Sequence, residues 1–199
     1  MNRNLKPPLM AYERLIDCLK QHGVFSEDAF EQFARHLSLK WLDKGEIWET
    51  SGRISLHMAF INQGIFREYY QKDGQEFTRG FYAEGDFMGN HFSYLEQTPS
   101  LTTVVALEKA EILSMSFEQL QQFSQEIPEV GLFNQHIAHQ KSLQLHTRNA
   151  SLLTELPAER YQAFLATYPA LANRIPLYLI AQYLGMRPET LSRIRKRIS

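Results

Sequence analysis

Seven glycines, Gly45, Gly52, Gly64, Gly74, Gly80, Gly85 and Gly89, cut residues 39–116 into short segments rich in Phe, Tyr, Ile and Val. Aromatic and β-branched residues favour the pleated, half-buried surface of a strand, and glycine supplies the tight turns between strands. Short strands with turns at this spacing point to an antiparallel sandwich or jelly roll. The stretch GIFREYYQKDGQEFTRGFY reads as a hairpin with Asp73-Gly74 at or beside its turn.

Helical patterns flank this block. Leu15, Ile16 and Leu19 recur at helical spacing within residues 9–21, and Ser26 is a fitting N-cap for a helix over 26–36. Helix returns at Phe117–Ser124, and Pro128 opens a long helix that runs to about residue 155. Along it Ala138, Leu145 and Leu152 lie seven apart, with Phe133, Ile137 and Leu143 near the same side, a seam able to pair two chains. Lys141 and Arg148 interrupt that seam, so packing onto the helix's own domain is the alternative. With 199 residues, 44% of them hydrophobic, the chain can bury one large core or two small ones. The fold class expected is α+β: a double-stranded β-helix (jelly roll) with flanking helices over 1–127, a long dimerisation helix over 128–155, and a helical domain over 156–199.

The last 21 residues, LIAQYLGMRPETLSRIRKRIS, carry the strongest functional signal. Residues 187–199 hold Arg187, Arg193, Arg195, Lys196 and Arg197 against Glu189, a local charge of +4 in a chain whose net charge is −1. Such asymmetry points to an anionic partner. Leu177, Ile180, Ala181 and Leu184 form the inner face of a short helix over 177–184, which Gly185 ends by taking positive φ. Arg187 precedes a proline and is pushed out of helical conformation, and Pro188 suits the first position of a second helix. There Leu191, Ile194 and Ile198 are expected to face inward. The outer side then carries Glu189, Ser192, Arg193 and Lys196. Ala181 is small because the second helix crosses close to it. Two short helices, a glycine turn and a basic outer face make a helix-turn-helix. Arg193 is the first candidate to grip a guanine, with Glu189 accepting from a cytosine amino group. Thr190 joins the DNA-facing set, and Ser192 reaches a base or a phosphate. Arg187, Arg195, Lys196 and Arg197 are read as phosphate contacts.

Other classes find little support. No run of eighteen apolar residues exists, and MNRNLKPPLMAYERL has no apolar block of signal-peptide type, so a cytoplasmic protein is expected. Cys18 is the one cysteine and permits no intramolecular disulfide. Cys18 and His22, four apart, could share a helix face, but an idle thiol is the simpler reading. A cupin-type enzyme needs His-x-His on a strand, whereas the β block holds only His57 and His91. His136 and His139, with His146 two turns on, could ligate a metal from one helix face; no acidic or cysteine partner sits at ligand spacing. Without a nucleophile motif, phosphate loop or dinucleotide fingerprint, no catalytic residue is assigned and an enzyme is not expected.

The order of helices, β-roll, long helix and C-terminal helix-turn-helix resembles the Crp/Fnr superfamily of bacterial transcription regulators over nearly the whole chain. EGDFMGN, residues 84–90, resembles the glycine-rich turn that opens the phosphate-binding cassette of cyclic-nucleotide-binding domains. RPETLSRIRK, residues 187–196, is similar to the family's recognition helix, with Glu189, Ser192 and Arg193 matching the Glu-x-x-Ser-Arg triplet of the Fnr-like branch. The resemblance implies a homodimer on double-stranded DNA, an inverted repeat with half-sites about 34 Å apart, and a contact with RNA polymerase.

The chain also departs from that pattern. Family members that bind cyclic AMP place a Glu after the second glycine of the turn and an Arg-Ser or Arg-Thr pair downstream. Here Asn90 follows Gly89, and Ser100 and Leu101 stand at the pair. A phosphate in the roll would lack its main counter-charge, at a cost of at least several kcal/mol, unless Arg79 supplied one. The expectation is no cofactor and no useful binding of cyclic AMP, leaving an unidentified small-molecule effector or an empty scaffold. The alternative is a ligand-binding or cupin-like jelly roll without DNA binding, which the short tail after Arg193 would suit.

Overall fold

The computed structural model describes residues 9–21 and 26–198, so His22 lies outside the described residues. A 3-10 turn at Leu9–Tyr12 leads into α1 (Glu13–Gln21) and α2 (Glu27–Ala34). The strands are β1 (Ser38–Leu42), β2 (Ile47–Glu49), β3 (His57–Gln63), β4 (Phe66–Lys72), β5 (Gln75–Tyr82) and β6 (Phe87–Met88), then β7 (Thr102–Ala106) and β8 (Ala110–Ser116). A short α3 (His91–Leu95) sits between β6 and β7, and α4 (Phe117–Glu126), α5 (Pro128–Thr154), α6 (Pro157–Thr167), α7 (Leu177–Tyr183) and α8 (Pro188–Ile198) complete the chain.

The strands form two antiparallel four-stranded sheets, ordered β1-β8-β3-β6 and β2-β7-β4-β5. Ala59, Ile61 and Ile112 of the first sheet meet Phe66, Val104 and Ala106 of the second in a shared core. The expected hairpin is β4–β5, with Lys72 opposite Gln75. Asp73 and Gly74 both adopt positive φ, 51° and 75°, the backbone of a two-residue turn whose twist matches its strands.

Helices close the roll on one side. Leu15 and Leu19 of α1, Phe33 of α2, Leu120 and Phe123 of α4, and Val130 and Phe133 of α5 share one cluster with Phe60, Phe87 and Leu113. Ser26 caps α2 by accepting from Ala29 N at 3.2 Å. Ser116 and Gln119 form a capping box on α4, which fixes the direction in which the chain leaves β8. Cys18 is half-buried, 4.0 Å from the Gly85 carbonyl. Among the described residues, no helix is long and apolar enough to cross a membrane.

The seam expected on α5 needs correction. Phe133 is buried and its ring lies 5.2 Å from that of Phe87, while Ile137 packs against the same cluster. Both belong to the chain's own core, because the roll offers an aromatic floor directly beneath them. Ala138, Leu143 and Leu145 are exposed and Leu152 is half-buried.

Gly64 joins β3 to β4 at φ +105°, where an added Cβ would lie 2.7 Å from Ala110 Cβ and 2.9 Å from its Cα. Gly74 at φ +75° faces open space. Gly64→Ala is expected to cost about 3 kcal/mol or more through combined strain and clash. Gly74→Ala should cost about 1–2 kcal/mol from backbone strain alone. Urea denaturation of the two variants checks the order.

Candidate functional site

The C-terminal pair is built around a turn that satisfies its own backbone. Gly185 takes φ +63°, its N–H donates to Gln182 O at 3.1 Å, and Met186 N–H donates to Ala181 O at 3.0 Å. This pair of bonds is a Schellman ending, and it turns the chain sharply after Leu184. Ala181 is fully buried, as the close helix crossing requires, and Leu191 of α8 is also fully buried. Ile194 is half-buried against the same cluster. Ile198 is 44% exposed, contrary to its expected inward position, because the last turn of α8 runs past the cluster. In α7 the buried positions are Leu179, Ile180 and Ala181, while Leu177 is only partly covered.

Packing turns one side of α8 outward. Arg187, Glu189, Arg193, Arg195, Lys196 and Arg197 are exposed, and Thr190 and Ser192 are half-exposed. Among the described residues, Arg187, Arg193, Lys196 and Arg197 form no ion pair. Six charges of net +4 thus stand on an exposed helix that follows a rigid turn.

This unit packs directly onto the roll, a contact the sequence did not reveal. Ile65 and Phe81 of the roll share a buried cluster with Tyr161, Phe164, Leu179 and Leu191. Arg67, 5% exposed, donates Nε to Thr78 Oγ1 at 2.9 Å and Nη2 to Gln182 Oε1 at 3.0 Å. Arg174 grips both oxygens of Glu84, at 2.9 and 2.7 Å, and also pairs with Glu108. Burial alone would raise the Glu84 carboxyl, but hydrogen bonds from Arg174 and the Gly64 amide outweigh it and hold the group at about 2. From α5, Arg148 donates to Thr78 O of the roll at 3.3 Å and to Tyr183 O of α7 at 3.0 Å.

Between the roll and α5 lies a cleft of about 1080 Å³. Arg79, Gly89, Asn90 and Leu101 line it as expected; Ser100 is buried beside it and does not. Gly89 has φ +140°, and an added Cβ would sit 2.9 Å from His57 O. Asn90 is the N-cap of α3, accepting from Ser93 N at 3.0 Å, so its side-chain oxygen is engaged with protein. Its amide nitrogen donates to Ser100 Oγ at 3.3 Å. Leu101 is 76% exposed at the mouth.

Two carboxylates were missed from sequence: Glu68 lines the cleft, and Glu49 is buried in the roll outside its lining. Glu68, 4% exposed, accepts from Thr102 Oγ1 at 2.8 Å, from Tyr82 Oη at 2.9 Å and from Arg79 Nη1 at 2.5 Å. Burial alone would lower the Arg79 guanidinium, yet Glu68 beside it raises it overall. Glu49 accepts from Ser55 Oγ at 2.8 Å, and its other oxygen is buried without a partner. Burial pushes the Glu49 carboxyl up. Alternating strand positions mark these side chains as inward, but a Glu at such a position reads from sequence as solvent-facing. Opposite them, Lys141 of α5 lies 4.4 Å above the Tyr82 ring, and burial lowers its ammonium. Neither histidine of the roll lies near a second one: His57 is exposed beside Trp48, and His91 stacks on Phe117.

Residues 39–126 match the family of the cyclic nucleotide-binding domain. That domain defines the class of the roll. Among solved structures, FixK2 of Bradyrhizobium japonicum superposes with a TM-score of 0.71 at 18% identity, covering 81% of this chain and 84% of that one. CLP of Xanthomonas campestris, described as a c-di-GMP responsive global regulator, gives 0.68 at 17% identity, over 87% and 91%. A chain from Eubacterium rectale assigned to the crp/fnr family of transcriptional regulators gives 0.66 at 14%, over 91% and 87%. No curated protein matches by sequence. The whole chain therefore has the fold of the Crp/Fnr regulators, and the resemblance carried by EGDFMGN and RPETLSRIRK holds at that level.

The Glu84 clamp gives the contact between roll and α6–α8 an acid limb. A carboxyl held below its ordinary value of 4.5 contributes stability above that pH, and loses it as pH falls toward about 2. Glu84→Gln should therefore be less stable than the parent at pH 6, with the gap closing between pH 4.5 and 2. Urea midpoints across that range read it.

Proposed function

We propose that this chain is a sequence-specific DNA-binding transcription regulator that acts as a homodimer on a palindromic operator. The observation that carries the reading is the outer face of α8: exposed Glu189 and Arg193 in its first two turns, flanked by exposed basic residues, on a helix anchored by fully buried Leu191. A helix end of that kind fits the major groove, where Arg193 grips guanine and Glu189 accepts from cytosine. Thr190 and Ser192 sit beside them. Arg187, Arg195, Lys196 and Arg197 take phosphates, which fix register and supply salt-sensitive affinity.

The working division is an effector domain over 1–127, a dimer helix over 128–155 and a DNA-binding domain over 156–199. With Phe133 and Ile137 committed to the roll, the seam falls to Ala138, Leu145 and Leu152, all on one side of α5, the first two exposed and the third half-buried. A second copy along this line carries a second α8 and makes the operator two-fold.

The roll is not a cyclic AMP receptor in this reading. Of the cleft's cations, Arg79 is the one that comes from the roll, and it is already paired with Glu68. Ser100 stands at the arginine's position, hydrogen-bonded to Asn90 and Glu49. A cyclic phosphate there would meet two buried carboxyl groups and no unspent guanidinium, at a cost of several kcal/mol.

Operators are obtained by selection from random duplexes, then titrated by fluorescence anisotropy at two salt concentrations. Arg193→Ala should lose about 1–3 kcal/mol and relax preference at one base position. Lys196→Ala should weaken all sequences alike and lower the salt slope by about one. Equal loss on every sequence for Arg193→Ala rejects the base-reading role. Calorimetry with cyclic AMP and cyclic GMP should show no binding, and a micromolar Kd for either would refute the account of the roll.

A further inference from the structure

The cleft between the roll and α5 has a definite electrical polarity. Four charged side chains line it, Glu68, Arg79, Lys141 and Arg148, for a net +2. Glu68 and Arg79 cancel in a direct pair on the roll side. The two remaining cations both come from α5, seven residues apart on the same face of the helix. Arg148 spends Nη2 on two carbonyl oxygens, while its Nε is buried without a partner. Among the described residues, Lys141 has no ion pair or hydrogen bond and stands over the Tyr82 ring. Asp86 and Glu68 act on it only from a distance, and Arg79 opposes them.

Much of the remaining wall is apolar, with Asn90, Thr102, Asn134 and Gln144 among its polar members. Phe87, Met88, Phe117 and Met58 of the roll side face Ile137 and Leu145 of the helix. The volume, about 1080 Å³, is at the upper end of what encloses one small organic molecule. A half-buried ammonium over an aromatic ring, among mostly apolar neighbours and without a direct ion pair, is stabilised when a ligand brings the opposite charge.

Resting on the regulator reading above, we propose that the effector is an amphipathic organic acid. Its ring or alkyl body lies against Phe87, Met88 and Phe117, and its single carboxylate pairs with Lys141 beside Arg148. The occupant is a small molecule and not the partner's helix, because Phe87, Met88 and Phe117 of the lining are buried within this chain, while Ala138 and Leu145 are exposed. A phosphate, with more charge than one carboxylate, is disfavoured by Glu68 in the same lining. The same acid touches both the roll and α5, and Arg148 continues from it to the Tyr183 carbonyl of α7.

The test is isothermal calorimetry on the full chain without DNA, using 2-naphthoate and decanoate, their neutral amides, and cyclic AMP. At least one acid should bind, and its amide should bind about ten- to a hundredfold more weakly, the range of a charge-assisted hydrogen bond. Lys141→Met keeps the stem and loses the charge, so it should reproduce the amide's loss on the acid while leaving amide binding unchanged. Lys141→Arg should restore acid binding to within about threefold, which a purely structural lysine would not predict. Equal affinity for acid and amide, undiminished acid binding in Lys141→Met, tighter binding of cyclic AMP, or no binding by either acid each overturns the proposal. Thermal melts of both variants verify folding. Anisotropy on selected duplexes is scored separately, so a chain that ignores acids yet binds its operator refutes this inference alone.

Discussion

The contact between Phe133 and Phe87 sets the rotational phase of the longest helix, and much of the molecule follows from that phase. A helix turns 100° per residue, so fixing one side chain fixes the direction of all 27 in α5. With Val130 and Phe133 in the core, Lys141 and Arg148 point along the same face toward the cleft and the α7 junction. Ala138, Leu145 and Leu152 fall to one side, where a second copy can reach them. The far side is left to Leu132, Leu143 and Leu153, all exposed.

Charge is divided across the cleft in the same way. The roll contributes Glu68 to the lining and buries Glu49 outside it, and the helix contributes Lys141 and Arg148. A buried carboxylate is tolerable only when its lone pairs are filled, and Glu68 meets that condition with three donors. Glu49 does not: one oxygen has no partner, and burial favours its protonated form. The turn at Gly89 resembles the glycine-rich turn of cyclic nucleotide-binding domains, while the carboxyl groups near it have the wrong sign for a phosphate. Backbone geometry and side-chain chemistry therefore point to different ligands, and in a buried site the uncompensated charge is the larger energy.

Much of this architecture was legible in the sequence because it rests on local rules. Glycines with positive φ marked the hairpin and the helix-turn-helix, Ser26 and Pro128 marked helix starts, and alternating apolar residues marked the roll. The outward residues of α8 followed from helical spacing around Leu191. Spacing failed where a tertiary partner decided the outcome. Phe133 and Ile137 fit a heptad seam equally well, and only the aromatic floor of the roll claims them. Lys141 and Arg148 looked like flaws in that seam because charge on a helix ordinarily means solvent, yet each faces a cavity. Ile198 kept the helical period past the end of the surface it was meant to cover. Arg67, Glu68 and Arg174 gave no local signal, since their partners lie 9 to 115 residues away.

Arg148 shows why a ligand between roll and helix would matter more than one inside the roll. A ligand shifts an equilibrium only by the difference in its affinity for the two arrangements. Contacts confined to the β-strands are the same wherever α5 and α8 lie, so they bind without switching. Contacts shared between the strands and α5 change as soon as the helix moves against the roll, and Arg148 ties that movement to Thr78 on one side and to Tyr183 on the other. Tyr183 ends α7, two residues before the glycine that sets the angle of α8. A displacement of α5 that breaks the Arg148 bonds therefore frees the base of the α7–α8 pair. Arg67–Gln182 and Arg174–Glu84 must then release or hold it, and the balance of those polar contacts decides how far α8 can travel.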